Sequence, residues 1–252
     1  MRLDKFLCNM GIGTRSEIKK QIRSGNVTVG GVTVTDPGKH VTPDSAIAFH
    51  GEPVGYEEYV YYMLNKPIGI ISASEDQWED TVVDLITEQK RRNLFPVGRL
   101  DRDTEGLLII TNDGEMAHRL LSPRHHVDKK YFARVTGIVT DEDVEAFASG
   151  LVLADGLECL PAELKVISTS EPDGKGRDEF TGTEVSDTEI SDTEVTIREG
   201  KFHQIKRMFL ATGHEVIYLK RLSMGPLALD PDLEPGEYRR LTPDEITQLK
   251  GV

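Results

Sequence analysis

Gly98-Arg99-Leu100-Asp101-Arg102-Asp103-Thr104-Glu105-Gly106-Leu107-Leu108-Ile109-Ile110 decides how this chain is read. A knot of charges lies between two apolar segments, Leu94-Phe95-Pro96-Val97 before it and Leu107 to Ile110 after it. The pattern predicts two strands joined by a tight polar turn. Such a turn sets Asp101 at the lip of a sheet, where a carboxylate can face a ligand while the strands fix its backbone. A solvated turn is the competing reading, since Asp is common in turns for conformational reasons alone. Asp101, Asp103 and Glu105-Gly106 also imitate the opening of an EF-hand loop. The last ligand position holds Asn112 where calcium needs Glu, and the flanks read as strands, which argues against that site.

Outward from this stretch, 252 residues fit one large domain or a small module plus a larger one. A hydrophobic content of 38% can supply a core. No apolar run approaches the ~20 residues that span a membrane, and Met1 to Lys5 shows no signal-peptide pattern. Cys8 and Cys159 stand alone, as expected of buried thiols in a reducing cytoplasm. No His/Cys/carboxylate set has zinc spacing, and the side chains of His125-His126 diverge. No Gly-rich phosphate loop followed by Lys and no serine-nucleophile elbow occurs. The expectation is a cytoplasmic monomer without metal or cofactor.

The net charge of −13 argues at first against a nucleic-acid partner, but its distribution matters more. Residues 171–194 carry −7, whereas the first 45 residues carry +3. In that N-terminal part Leu3, Phe6, Leu7 and Met10 recur at helical spacing. Thr14 can cap a second helix, on which Arg15, Lys19, Lys20 and Arg23 share one broad face opposite Ile18 and Ile22. Val27 to Val34 reads as a hairpin turning at Gly30-Gly31. A basic helix beside a hairpin can grip phosphates, or can be a solvated helix face. Residues 1–48 are read as this module and 49–58 as a linker.

From Tyr59 to the end, strands and helices mix without a regular βαβ repeat, so α+β is predicted, with a mixed, mainly antiparallel sheet and flanking helices. Expected strands include Tyr59–Leu64, Ile68–Ser72, Tyr131–Thr136 and Val216–Leu222. Expected helices include 114–121, 141–148 and 203–212, and a last one capped at Thr242. Residues 171–194, with single apolar residues among acids, are read as a mobile acidic insertion lying away from Asp101.

Four segments in order resemble the motifs of the pseudouridine synthases, in the branch that modifies ribosomal RNA. They are Leu64-Asn65-Lys66-Pro67-Ile68-Gly69; Gly98-Arg99-Leu100-Asp101 with Thr104, Gly106 and Leu107; Lys129-Lys130-Tyr131; and Glu199-Gly200-Lys201-Phe202-His203-Gln204-Ile205-Lys206-Arg207-Met208. The first 45 residues are similar to the αL RNA-binding motif shared with a small-subunit ribosomal protein. Ser122 to His126 and Leu233 to Arg239 match the small-subunit branch. The resemblance implies isomerisation of a specific uridine in 16S ribosomal RNA, free or in an assembling particle, and no DNA partner. It implies that Asp101 is the essential carboxylate, that Tyr131 faces the flipped base, and that Lys206 is the cation beside Asp101, a place Arg207 could also take. Lys66, Arg99, Lys129, His203 and Gln204 are implied as phosphate or pocket-wall contacts, as is Arg207 among the RNA-binding residues.

Three competitors stand beside this reading. A large-subunit enzyme would carry the same motifs. A non-enzymatic ribosome-assembly factor would need only the N-terminal module and leaves Asp101, Tyr131 and the last motif unexplained. A hydrolytic glycosidase would pair Asp101 with Asp103 or Glu105, yet hydrolysis opposes two carboxyl groups across the bond, and residues two apart in one turn are poorly placed for that.

Overall fold

The computed structural model describes residues 1–87, 93–170, 182 and 188–252. The chain divides into two compact units, Met1–Val60 with Ile86–Phe95, and Tyr61–Leu85 with Pro96–Val252.

The first unit holds α1 (Leu3–Asn9), α2 (Arg15–Arg23) and a four-stranded sheet in the order β2-β1-β3-β4, formed by β1 (Val27–Val29), β2 (Val32–Thr33), β3 (Ile47–Phe49) and β4 (Glu52–Val54). Helix α2 starts where the sequence has its signal. Thr14 Oγ1 accepts from Glu17 N at 3.3 Å, and Glu17 Oε2 accepts from Thr14 N at 2.7 Å, so two orphan amides are satisfied reciprocally. Ile18 and Ile22, one turn apart, are buried with Leu3, Phe6, Leu7, Val27 and Ile47. Val29 pairs with Val32 across Gly30 and Gly31, whose φ values of 60° and 78° are what a two-residue hairpin turn of this twist demands. Residues 49–58 are not simply a linker. Phe49 ends β3, and β4 pairs with it through Ile47↔Val54 and Phe49↔Glu52. The Gly/Pro/Glu composition of this stretch reflects a tight turn at His50-Gly51 and an exposed edge strand.

The second unit is built on one sheet, ordered β13-β5-β7-β11-β8-β10-β9. Its strands are β5 (Tyr61–Lys66), β7 (Glu105–Thr111), β8 (Lys129–Thr136), β9 (Glu163–Ser170), β10 (Ile190–Ile197), β11 (Val216–Met224) and β13 (Tyr238–Arg240), with short β6 (Phe95–Pro96) and β12 (Leu227–Ala228) beside them. Every pair along this order is antiparallel except β7 with β11. Helices α3 (Gly114–Leu121), α4 (Asp141–Ser149), α5 (Gln204–Ala211) and α6 (Pro243–Lys250) flank it. Phe147 of α4 meets Phe209 of α5 with ring centroids 5.0 Å apart, both side chains fully buried. The architecture is the expected α+β with a mainly antiparallel sheet.

Two strand expectations need correction. Ile68–Ser72 forms no strand; only Ile71 makes an isolated bridge, to Thr81, while Asn65 and Lys66 complete β5. The acidic stretch does not run to Glu194, because β10 begins at Ile190. Ser191 and Thr193 are buried there, and the acids that alternate with them are paired across the strands: Asp192 with Arg134 at 2.7 Å and Glu194 with Lys130 at 3.4 Å. Alternation of small hydroxyls with acids is a strand pattern when the hydroxyls face in. Most of the preceding stretch, with the expectation about its mobility and place, lies outside the described residues.

The last helix gives an acid-stability expectation. Arg239 donates to both oxygens of Glu245, at 2.9 and 2.8 Å, and this holds the Glu245 carboxyl down to about 2, well below the ordinary 4.5, with burial opposing less strongly. A folded value below the unfolded one stabilises above the unfolded value, and the stabilisation is lost as pH falls from about 4.5 towards 2. Urea unfolding of Glu245→Gln against the parent should show a deficit at pH 7 of up to about 3 kcal/mol that closes over this window. A deficit independent of pH would contradict it.

Candidate active site

A buried lysine shapes the turn that carries Asp101. Lys66, at the end of β5, is wholly buried, and its Nζ donates to the carbonyls of Pro67 at 2.9 Å, Thr104 at 3.0 Å and Arg102 at 3.4 Å. Burial pushes its ammonium down to about 8. From the other side Ser72 Oγ donates to Leu100 O at 2.8 Å and accepts from Leu100 N at 3.0 Å. Gly69 N donates to Arg102 O at 2.8 Å, and Thr104 N to Asp101 O at 3.1 Å. The backbone on both sides of Asp101 is therefore fixed, which is what a carboxylate with a positional task requires.

The side chain of Asp101 borders two adjoining cavities. The narrower is walled by Thr104, Tyr131, Ile197, Leu219 and Lys206. The wider, about 660 Å³, is bordered by Ile71, Ser72, Arg99, Lys129, Phe202 and His203. Helix α5 and the residue before it bring the positive charge. His203 takes a left-handed backbone, φ 49°, an uncommon conformation for a residue with a side chain, and its Nε2 lies 3.5 Å from Asp101 Oδ1. One turn on, Lys206 Nζ lies 3.3 Å from Asp101 Oδ2 and 2.5 Å from Asp103 Oδ1. Burial disfavours the charge on Asp103, but the hydrogen bond and charge of Lys206 outweigh it and hold that carboxyl below its usual range. Tyr131 enters from β8, buried beside the same cavity. Asp101, Tyr131 and Lys206, far apart in sequence, are thus brought together, with His203 closer to Asp101 than a phosphate-binding role implies.

Of the other expected site residues, Arg99, Lys129 and Gln204 border the cavities, while Lys66 and Arg207 do not. Lys66 is inside the fold and not at a surface RNA could reach. Lys129 is buried as well; its Nζ donates to Val127 O at 3.0 Å, and burial, with Arg221 adding in the same direction, pushes its ammonium down to about 8. Gln204 is buried between Glu199 and Lys201, donating to Glu199 Oε1 at 2.7 Å and accepting from Lys201 N at 3.0 Å, so it fixes the start of α5. Arg207 does not share Asp101 with Lys206; its Nη2 lies 2.5 Å from Asp155 Oδ1. Arg99 is exposed at the rim of both cavities. In the first unit Lys20 and Arg23 lie on α2 with Lys19, and Arg15 leans on the buried Asp4, with Nε 3.5 Å from Oδ2. Sequence reasoning missed Ile197 and Leu219 as apolar wall and Phe202 at the rim. Strand alternation around Val195 and Ile197 was the available signal for the first. Among the described residues no group of three or more His, Cys, Asp or Glu side chains is placed to hold a metal ion.

Comparison with known proteins identifies the family. Residues 60–211 match the model of the RNA pseudouridylate synthase family, and residues 1–47 match the S4 domain. The chain is 44% identical to a protein of Bacillus subtilis (strain 168) named uncharacterized RNA pseudouridine synthase YtzG, over 99% of this chain and 98% of that one. It is 38% identical to ribosomal small subunit pseudouridine synthase A of Escherichia coli (strain K12), over 99% and 100% of the two chains. A crystal structure of a pseudouridylate synthase superposes with a TM-score of 0.64 at 34% identity, covering 99% of each chain. An N-terminal RNA-binding S4 domain, an α+β sheet domain and an aspartate held in a cleft against a lysine place this chain in the RNA pseudouridylate synthase family: it is an RNA pseudouridine synthase, an isomerase.

Proposed function

We propose that this enzyme converts one specific uridine of 16S small-subunit ribosomal RNA to pseudouridine, with Asp101 as the essential carboxylate, Tyr131 against the flipped base and Lys206 as the counter-cation. The observation that carries the reading is the Asp101 carboxylate at the junction of the two cavities, 3.3 Å from Lys206 Nζ. Isomerisation breaks N1–C1′, turns the uracil and joins C5 to C1′; the C5 proton leaves and N1 gains one. Attack on the sugar, attack on the ring and proton removal from the sugar each need an unprotonated carboxylate at this place. A base in folded RNA must leave its stack to reach it, and the apolar wall of Ile197 and Leu219 with Tyr131 suits an extruded uracil. Hydrolysis is the poorer reading, because Asp101 is the one carboxylate among the described residues bordering the narrower cavity. The small-subunit target is supported by the 38% identity to a protein named for that subunit. Pseudouridine mapping in ribosomal RNA from cells with and without the gene tests it: loss of one site in 16S RNA is expected, and loss in large-subunit RNA alone would reassign the target.

The same reading takes the N-terminal unit, about residues 1–48, as the RNA grip, residues 59–252 as the catalytic part, and the protein as a cytoplasmic monomer acting on RNA or on an assembling particle. Lone Cys8 and Cys159, both free thiols, fit a reducing compartment. Replacing Arg15, Lys19, Lys20 and Arg23 with Ala should flatten the salt dependence of RNA binding by about 0.7–0.9 log units for each phosphate that is no longer neutralised. An unchanged slope in filter binding across a salt series would make that helix face merely solvated.

Lys206→Met removes the cation shared by Asp101 and Asp103. We expect kcat to fall by about 100-fold, the scale for losing one positioned charge partner, with Lys206→Arg retaining most turnover. Single-turnover rates within a few-fold of the parent for Lys206→Met would remove the lysine from the machinery.

A further inference from the structure

Phe202 stands at the rim of the wider cavity with 72% of its surface exposed, although a ring of that size ordinarily gains by burial. It is nonetheless fixed. Its ring stacks on His203, with centroids 3.8 Å and planes 19° apart, and its carbonyl accepts from Arg207 Nη1 at 3.4 Å. Arg207 is itself tied to Asp155, and His203 is held in its left-handed backbone beside Asp101. One face of an aromatic ring is thus backed by a second ring, while much of its surface stays open to solvent next to the carboxylate. Arg99 borders the same cavity and can meet a phosphate of a strand entering there.

We propose that Phe202 is a stacking platform for an unpaired base that neighbours the target uridine in the RNA strand, and so helps to set which nucleotide presents its sugar to Asp101. The proposal rests on the reading of Asp101 as the catalytic group. Every base has a flat π face, so a pre-set aromatic surface captures an unstacked neighbour whatever its identity. The open ring offers what the buried Tyr131 does not, because Tyr131 already forms cavity wall. A base stacked there loses its freedom to slide, which fixes the register of the strand.

The test is a binding cycle in the Asp101→Asn background, where nothing turns over. The probe is a short single-stranded RNA with one uridine flanked by 2-aminopurine, whose fluorescence is quenched on stacking. With Phe202 present, binding should quench the probe. Phe202→Ala should abolish the quench and weaken binding about fivefold or more, Phe202→Trp should preserve both, and Phe202→Leu, which keeps apolar bulk without a π face, should not. An abasic site in place of the 2-aminopurine should cost the Phe202 protein the same factor and cost Phe202→Ala nothing further. Equal losses in both proteins, or a Leu variant that binds and quenches like Phe, would overturn the proposal. Failure of the Asp101 reading would appear separately, as turnover by Asp101→Asn on RNA that the parent modifies, and leaves this binding cycle measurable.

Discussion

Asp101→Asn should abolish isomerisation, by at least about 1,000-fold in single-turnover rate, while the protein still folds and still binds its RNA. The amide keeps the size and planarity of the carboxylate. The turn that holds residue 101 is fixed through the backbone by Lys66, Ser72, Gly69 and Thr104, none of which bonds to the Asp101 side chain. Lys206 keeps its partner Asp103 at 2.5 Å, so the cavity retains a neutralised cation. What disappears is one negative charge at the point where the proposed reaction breaks the glycosidic bond. Residual turnover within tenfold of the parent would remove Asp101 as the reacting group.

Gly106→Ala should destabilise the protein by about 3 kcal/mol or more, a large share of the stability of a typical domain. Gly106 pairs with Arg221 where β7 and β11 run parallel, its φ is 101°, and a Cβ there would lie 2.3 Å from the Arg221 carbonyl oxygen and 2.6 Å from its nitrogen. Those are backbone atoms in the centre of the sheet, so they cannot move aside as a side-chain tip would. Adding one methyl must pull β7 from β11 just after the Asp101 turn. Urea unfolding midpoints compare the two proteins. A shift worth less than about 1 kcal/mol would show that the strands tolerate the separation.

Much of this was legible in the residues. The cap at Thr14, the Gly30-Gly31 turn and the apolar runs around residue 101 are local signals, and each produced the element it predicts. The spacing around Asp101 fits a solvated turn as well as a site; the resemblance of Gly98 to Asp101 to the family motif is what singles it out. The misreadings at Lys66 and at the acids of β10 have a common cause: partners distant in sequence. Lys66 looked like a surface cation until Pro67, Arg102 and Thr104 turned their carbonyls towards it. Gln204 and Lys129 do border the cavities, as a pocket-wall reading has it, but both are buried and hydrogen-bonded to neighbours in sequence. Asp192 and Glu194 read as loop acids because their partners, Arg134 and Lys130, lie some sixty residues away across a strand pair. Phe202 escaped notice since a single aromatic in a basic run gives no sign of its exposure.

The proposed isomerisation of a 16S uridine through Asp101 would leave a direct chemical trace. Forming the C5–C1′ bond expels the hydrogen on C5, so a 16S transcript labelled with tritium at C5 of uridine reports the reaction. The purified protein is expected to release tritium to water up to one equivalent per transcript, to leave the RNA mass otherwise unchanged, and to yield no free uracil, with Asp101→Asn releasing none. Free uracil, or release that Asp101→Asn matches, would contradict it.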